Sequence, residues 1–120
     1  MDIKNLKNLS SLLEENDINL YLFSVIELEN YPNKFDLVIV SDNLRSGHLD
    51  DIKIVSNKLR IILKYDELLQ ISSIIILSKK DVFVSDLIYF IKEEPNPNRV
   101  RNFSIRGKDI KNCYTIKLPI

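Results

Sequence analysis

His48 and Cys113 are the single histidine and the single cysteine of a 120-residue chain. A histidine beside a thiol or hydroxyl is the pair that nucleophilic catalysis uses. Acidic residues come in pairs: Glu14/Glu15, Glu27/Glu29, Asp50/Asp51 and Glu93/Glu94. Two carboxylates held close together do acid–base work or hold a metal. Glu27 and Glu29 sit two apart, which on a strand puts them on one face. Against this stands the absence of a ligand pattern. One histidine and a cysteine far away in sequence do not make a metal site. We therefore expect His48 to begin a helix at the surface. Cys113 is expected to be a small core residue of an alternating strand, and the carboxylates to face solvent or a partner. We expect no catalytic residue, no cofactor and no metal. A small enzyme centred on His48 or on the paired carboxylates is the chemical alternative.

One further group stands out. In "FDLVIVSDN" (35–43) an apolar run ends at Ser41 and Asp42 follows at once. A carboxylate at the carboxyl end of a buried strand is where many α/β proteins keep their chemistry. A glycine-rich phosphate-cradling loop is excluded. The two glycines, Gly47 and Gly107, cannot form a dinucleotide fingerprint or a P-loop, which need glycine for close backbone approach.

The elements that must position these groups follow from periodicity. Ile3, Leu6, Leu9, Leu12 and Leu13 recur at helical spacing and predict a helix over about 2–15. "INLYLFSVIEL" (18–28) is aromatic and β-branched and predicts a strand, closed by the turn signal "NYPN". "FDLVIVS" predicts a second strand, buried on both faces. Leu49, Ile52, Val55, Leu59, Ile62 and Leu63 form a stripe that predicts a helix over about 48–64, continuing into "YDELLQ". Asp50 and Asp51 fall in its first turn, where the helix dipole favours negative charge. "SSIIILS" (72–78) predicts another buried strand, and "SKKD" resembles a capping box. "DVFVSDLIYFIKEE" (81–94) predicts a largely buried helix that "PNPN" ends. Alternation at 100–106 and 112–118 about "GKDIK" predicts a C-terminal hairpin.

The expectation is an α/β (or α+β) fold. It has a central mixed sheet of four to five strands, helices packed on it and a closing β-hairpin, in a single globular domain over 1–120. The strands 36–41 and 72–78 are expected to be central.

Composition limits the partners. The chain is 45% hydrophobic and carries 17 basic and 17 acidic residues. A net basic footprint for nucleic acid is missing. No apolar run reaches the roughly 18 residues of a membrane helix, and the charged start "MDIKNLKNLSSLLEEN" is no signal peptide. A lone cysteine makes no disulfide framework. These point to a soluble, cytoplasmic protein. Charge is sorted along the chain: residues 1–30 hold two basic and six acidic groups, net −4, and residues 91–120 hold seven and three, net +4. Such sorting speaks to association with a charged partner.

Two resemblances follow from these stretches. "FDLVIVSDN" and "SSIIILSKKD" look like two strands of a response-regulator receiver domain, with Ser78 at the position of its conserved hydroxyl. Here Ser41, not Asp42, falls where that family places its phosphoacceptor. The acidic pair that binds magnesium does not close "LYLFSVIEL", and the Lys-Pro turn is missing. A degenerate receiver-like regulatory domain is thus the runner-up. "SSIIILSKKDVFVSDLIYFIKEE" and "RNFSIRGKDIKNCYTIKL", in a small Ile-, Asn- and Lys-rich chain, are similar to bacterial immunity proteins of contact-dependent growth inhibition systems. That resemblance implies a non-catalytic inhibitor of one cognate toxin domain, commonly a nuclease. It assigns no residue a role.

The chemistry of such an inhibitor selects the surface. A nuclease site is basic because it binds phosphates. Its inhibitor should offer carboxylates, which also speed association. The candidate surface is the loop carrying Asp42, Arg45, His48, Asp50 and Asp51, extended by Glu27 and Glu29 from the end of the neighbouring strand. The basic hairpin (Arg99, Arg101, Arg106, Lys108, Lys111) is the next candidate.

Overall fold

In the computed structural model, which describes residues 2–119, the Asp2 carboxylate accepts from Lys4 N (2.9 Å) and caps helix α1 (Ile3–Glu15). Leu6, Leu9 and Leu13, at helical spacing, are fully buried. The helix ends where Asp17 turns left-handed (φ 64°), a conformation Asp tolerates at a helix end. Strands β1 (Leu20–Leu28) and β2 (Phe35–Ser41) then pair antiparallel, with Val25 opposite Leu37. Helix α2 (Leu49–Ile62) and the one-turn helix α3 (Tyr65–Leu68) carry the chain over to β3 (Ile71–Leu77), which runs parallel to β2. Helix α4 (Val82–Lys92) follows. The hairpin of β4 (Arg99–Ile105) and β5 (Lys108–Lys117) closes the fold.

The five strands form one mixed sheet in the order β3-β2-β1-β5-β4, and only the β2–β3 pair is parallel. Alternate residues of each strand point to opposite faces, and helices pack on each face. α1 and α2 lie on one face, over Phe23, Val25, Leu37 and Ile39. α4 lies on the other, over Leu22, Ile26, Val38 and Val40. The expected α/β class, mixed sheet, packed helices and C-terminal hairpin are therefore all present. The hairpin turn is shorter than "GKDIK" suggests. It consists of Arg106 and Gly107, both at positive φ (50° and 79°), the backbone of a tight two-residue β-turn.

Three expectations are corrected. β2 is flanked by strands on both sides and is buried nearly throughout, but β3 is an edge strand in which only Ile76 is buried. The second helix does not run on through "YDELLQ". Leu63 and Lys64 are extended (ψ 145° and 162°), and α3 starts afresh. α4 buries Val84, Leu87 and Ile91 but exposes Val82 and Tyr89. Its cap is Asp81 itself, which accepts from Phe83 N (2.8 Å). No helix among the described residues is long and apolar enough to cross a membrane.

Candidate functional site

The loop after β2 is built by its own short polar bonds. Asn43 N donates to Ser41 Oγ (3.1 Å), and Asn43 Oδ1 accepts from Asn19 N (2.8 Å), tying the loop to the start of β1. Leu44 is buried and pins the loop to the core. Gly47, left-handed at φ 63°, donates to Ile76 O (3.3 Å) and so fastens it to β3. Asp42, at the strand end, is turned outward. Its carboxylate is 74% exposed and meets Lys79 Nζ at 2.9 Å. That contact joins the loops that follow the two parallel strands. The Lys79 ammonium also lies 4.8 Å from the centre of the Tyr21 ring.

Asp51 behaves differently from its neighbour Asp50. Its carboxylate accepts from Arg45 N (2.6 Å), Nε (3.1 Å) and Nη2 (3.1 Å). Asp51 is buried while Asp50 is exposed. The Arg45 side-chain hydrogen bonds, then its backbone N–H, pull the Asp51 carboxyl down to about 2, against the opposing effect of burial. The same bonds raise Arg45. This pair is a clamp that folds the loop back onto the first turn of α2, so Asp51 is no free carboxylate. Arg45 keeps one flank open, its side chain being 65% exposed.

His48 does begin the helix. Its carbonyl accepts from Asp51 N and Ile52 N, its side chain makes no capping bond, and its Nδ1 is buried without a hydrogen-bond partner among the described residues. Cys113 belongs to the apolar cluster under α4, where its thiol meets Thr115 Oγ1 (4.0 Å), and burial pushes the thiol up to about 11. A thiol so placed is inert. The structure does not assemble His48 and Cys113 into a catalytic pair. No group of three or more His, Cys, Asp or Glu among the described residues is placed to hold a metal.

Glu27 and Glu29 do not extend the Asp42 surface. β1 runs antiparallel to β2, so Glu27 stands opposite Phe35 and Asp42 follows Ser41, the partner of Leu20. The two sites lie at opposite ends of the sheet. Glu27 is also buried and occupied. It accepts from Asn33 N (2.7 Å) and Asn112 Nδ2 (2.8 Å). Glu29 lies beyond the strand, exposed, with its N–H on Asp109 O (3.0 Å).

What gathers at the carboxyl ends of β2 and β3 is therefore a smaller set: Asp42, Arg45, His48, Asp50 and Lys79. One large apolar side chain joins it. Leu49 is the first residue of α2 and is 63% exposed. Leu49 had the look of a core residue, because it starts the apolar stripe of its helix. A first-turn residue projects past the end of the sheet, and no periodicity reports that. The nearness of Lys79 to Asp42 is a consequence of the parallel pairing of β2 with β3. The carboxylates of Glu14, Glu15 and Asp17 reach the same end of the sheet at the end of α1, with Glu14 3.7 Å from Lys117.

A second concave feature lies on the α4 face. One 11-residue helix does not cover this side, and a trough of ≈ 320 Å³ remains beside it. Ile26, Val38, Ile75, Leu77 and Ile110 form its floor. Every charge on its rim is already engaged within the chain. Asp36 accepts from Ser73 (2.6 Å), Asp81 caps α4, Arg106 pairs with Asp86 (2.6 Å), and Lys108 lies 5.5 Å from the Phe83 ring centre.

Compared with protein-family models, curated proteins and solved structures, the chain matches none. Strand order does bear on the receiver alternative. That fold is a doubly wound parallel sheet, whereas three of the four strand pairs here are antiparallel. "FDLVIVSDN" and "SSIIILSKKD" share its buried-strand pattern and not its architecture.

Proposed function

We propose that the chain is an immunity protein that acts in the cytoplasm. It binds a cognate bacterial toxin domain, a nuclease, and blocks it without chemistry of its own. The observation that carries this reading is the end of the sheet at which Leu49 stands exposed beside Asp42, Asp50, Arg45 and Lys79. Apolar anchors inside a charged rim are the usual anatomy of a recognition surface. The acidic members suit the basic cleft of an enzyme that binds phosphate, and they accelerate encounter. A stable complex of this kind buries about 800 Å² on each partner. The loop 42–51 and the end of α1 lie together at that end of the sheet. The clamp between Arg45 and Asp51 keeps the loop in one shape before binding, which lowers the ordering cost of association.

The test is calorimetric and kinetic titration of wild type and variants against nuclease domains of bacterial contact-dependent toxins. Asp42→Lys/Asp50→Lys should lower the on-rate, weaken binding and reverse its salt dependence, with the melting temperature unchanged because both groups are exposed. Leu49→Asp should weaken binding through the off-rate. Full affinity in both variants would move the interface to the basic hairpin. No binding by the wild type would overturn the reading.

A further inference from the structure

The trough on the α4 face has the dimensions of a small-ligand site. Its ≈ 320 Å³ lies at the lower end of the range for such pockets. At about 30 Å³ per water in the liquid, it holds a molecule of about ten non-hydrogen atoms. One turn of a partner's helix, about 10 Å wide and about 5.4 Å long, is already larger. Ile26, Val38, Ile75, Leu77 and Ile110 offer the floor only aliphatic carbon, so the body of a ligand must be apolar. The rim is unequally engaged. In the strand order β3-β2-β1-β5-β4, the acids stand on the β3–β2 side and the bases on the β5–β4 side. Asp36 holds the Ser73 hydroxyl (2.6 Å), and Asp81 holds Phe83 N (2.8 Å). The Lys108 ammonium faces only a ring, with the Phe83 centre 5.5 Å away, and has no acceptor among the described residues. Arg106 donates from Nε to Asp86 (2.6 Å) and leaves both terminal nitrogens without an acceptor. The tight turn of Arg106 and Gly107 keeps the two bases on this side.

We propose that the trough binds a small apolar carboxylate of the size of a medium-chain fatty acid. Its chain lies along the aliphatic floor, and its carboxylate meets Lys108 and Arg106. Charge complementarity selects this occupant. The donors that lack acceptors stand together at the hairpin, where a carboxylate takes charge-assisted hydrogen bonds. Asp36 and Asp81 already hold donors of the chain, and their charge turns an anionic head away from their side, so one orientation serves. The Phe83 ring positions the ammonium before a ligand arrives, and its N–H groups can reach a carboxylate without leaving the ring. An alcohol with the same chain gains the floor alone. An amine with that chain meets like charge at the hairpin. This proposal does not rest on the immunity reading.

The experiment is a methyl-resolved NMR titration of the full chain with octanoate, octanol and octylamine, which share a tail and differ in the head. Octanoate should saturate with a Kd below about 1 mM and shift the methyls of Ile26, Val38, Ile75, Leu77 and Ile110. It should bind at least about tenfold tighter than the other two. Lys108 is exposed, so Lys108→Gln should fold normally. That variant should lose the preference for octanoate and keep its affinity for octanol. No saturation below about 1 mM, equal affinity for the three heads, or an undiminished preference in Lys108→Gln would overturn the proposal. Shifts centred on the exposed Leu49 and Ile61 in place of the trough would do the same. Trough methyls that shift with protein concentration alone would give the trough to a second copy and overturn it as well.

Discussion

Asn112 stands directly across the β1–β5 ladder from Glu27 and donates to its carboxylate at 2.8 Å, inside the sheet. With Asn33 N on the other oxygen (2.7 Å), this carboxylate ties the turn after β1 to a strand that lies far away in sequence. It is a structural post, and the pairing Glu27/Glu29 that suggests chemistry in the sequence does not exist in space.

Burial raises the Glu27 carboxyl, but the Asn33 and Asn112 hydrogen bonds and the nearby Lys111 and Arg99 charges outweigh it, leaving the group below its ordinary 4.5. A depressed pKa means that the stabilisation is complete above the ordinary value and fades as pH falls through it. Glu27→Ala strands the Asn112 amide and the Asn33 N–H and should cost about 1–3 kcal/mol in urea unfolding at neutral pH. The stability gap between wild type and Glu27→Gln should narrow on acidification below pH 4.5.

Asp51 gives a second acid-sensitive contact. Its carboxyl lies at about 2 against an ordinary 3.8. The contribution is therefore full above 3.8 and lost as pH drops towards 2. Asp51→Asn should lower the melting temperature at neutral pH and flatten the acid slope in that window. Arg45→Ala should do less, because Arg45 N still donates to Asp51. Melts across a pH series of the two single variants and the double variant check this.

Leu37 is fully buried in β2, and Ile75 is only partly buried on β3. Leu37→Ala should cost about 2–5 kcal/mol in urea unfolding, and Ile75→Ala clearly less. A charge at the strand expected to be central would abolish folding. At the open edge, where proteins tolerate inward-pointing charge, Ile75→Asp should give a soluble, cooperatively melting protein.

Cys113 should resist thiol reagents. A rise from 9.0 to about 11 cuts its thiolate fraction about a hundredfold, and its side chain is fully buried. Labelling at pH 8 should follow global unfolding and speed up with urea. Rapid labelling of the native protein would contradict the position of the β4–β5 hairpin over the α4-side core.

Much of the fold was legible, for local reasons. The Leu6, Leu9, Leu13 stripe marks the buried face of α1, and the run Leu37–Val40 marks a strand covered on both faces. "SSIIILS" is as apolar as "FDLVIVS", yet it is an edge. Residue type reports which groups avoid water, not how many strands stand alongside, and that depends on β5 taking the place beside β1. At the site, Asp50 and Asp51 are indistinguishable neighbours in sequence. The 100° rotation between successive helix residues puts one in solvent and the other under Arg45. Likewise, Glu27 was placed near Asp42 because adjacent strands share ends, and the antiparallel direction of β1 sends it to the opposite one.

The sheet order also has a temporal side. β1 is bounded by β2, which comes next in the chain, and by β5, which comes last, with Ile26 paired to Cys113. Pairings so distant in sequence form slowly, because a long loop must close before any contact rewards it. On a ribosome, β1, β2 and β3 with their helices emerge first, and β1 waits with a bare flank on which the Glu27 carboxylate holds Asn33 N but still lacks Asn112. The β4–β5 hairpin, whose two-residue turn assembles locally within about 1–10 μs, then docks as a unit. The rate of that docking sets how long a newly made chain remains open to pairing with the wrong neighbour.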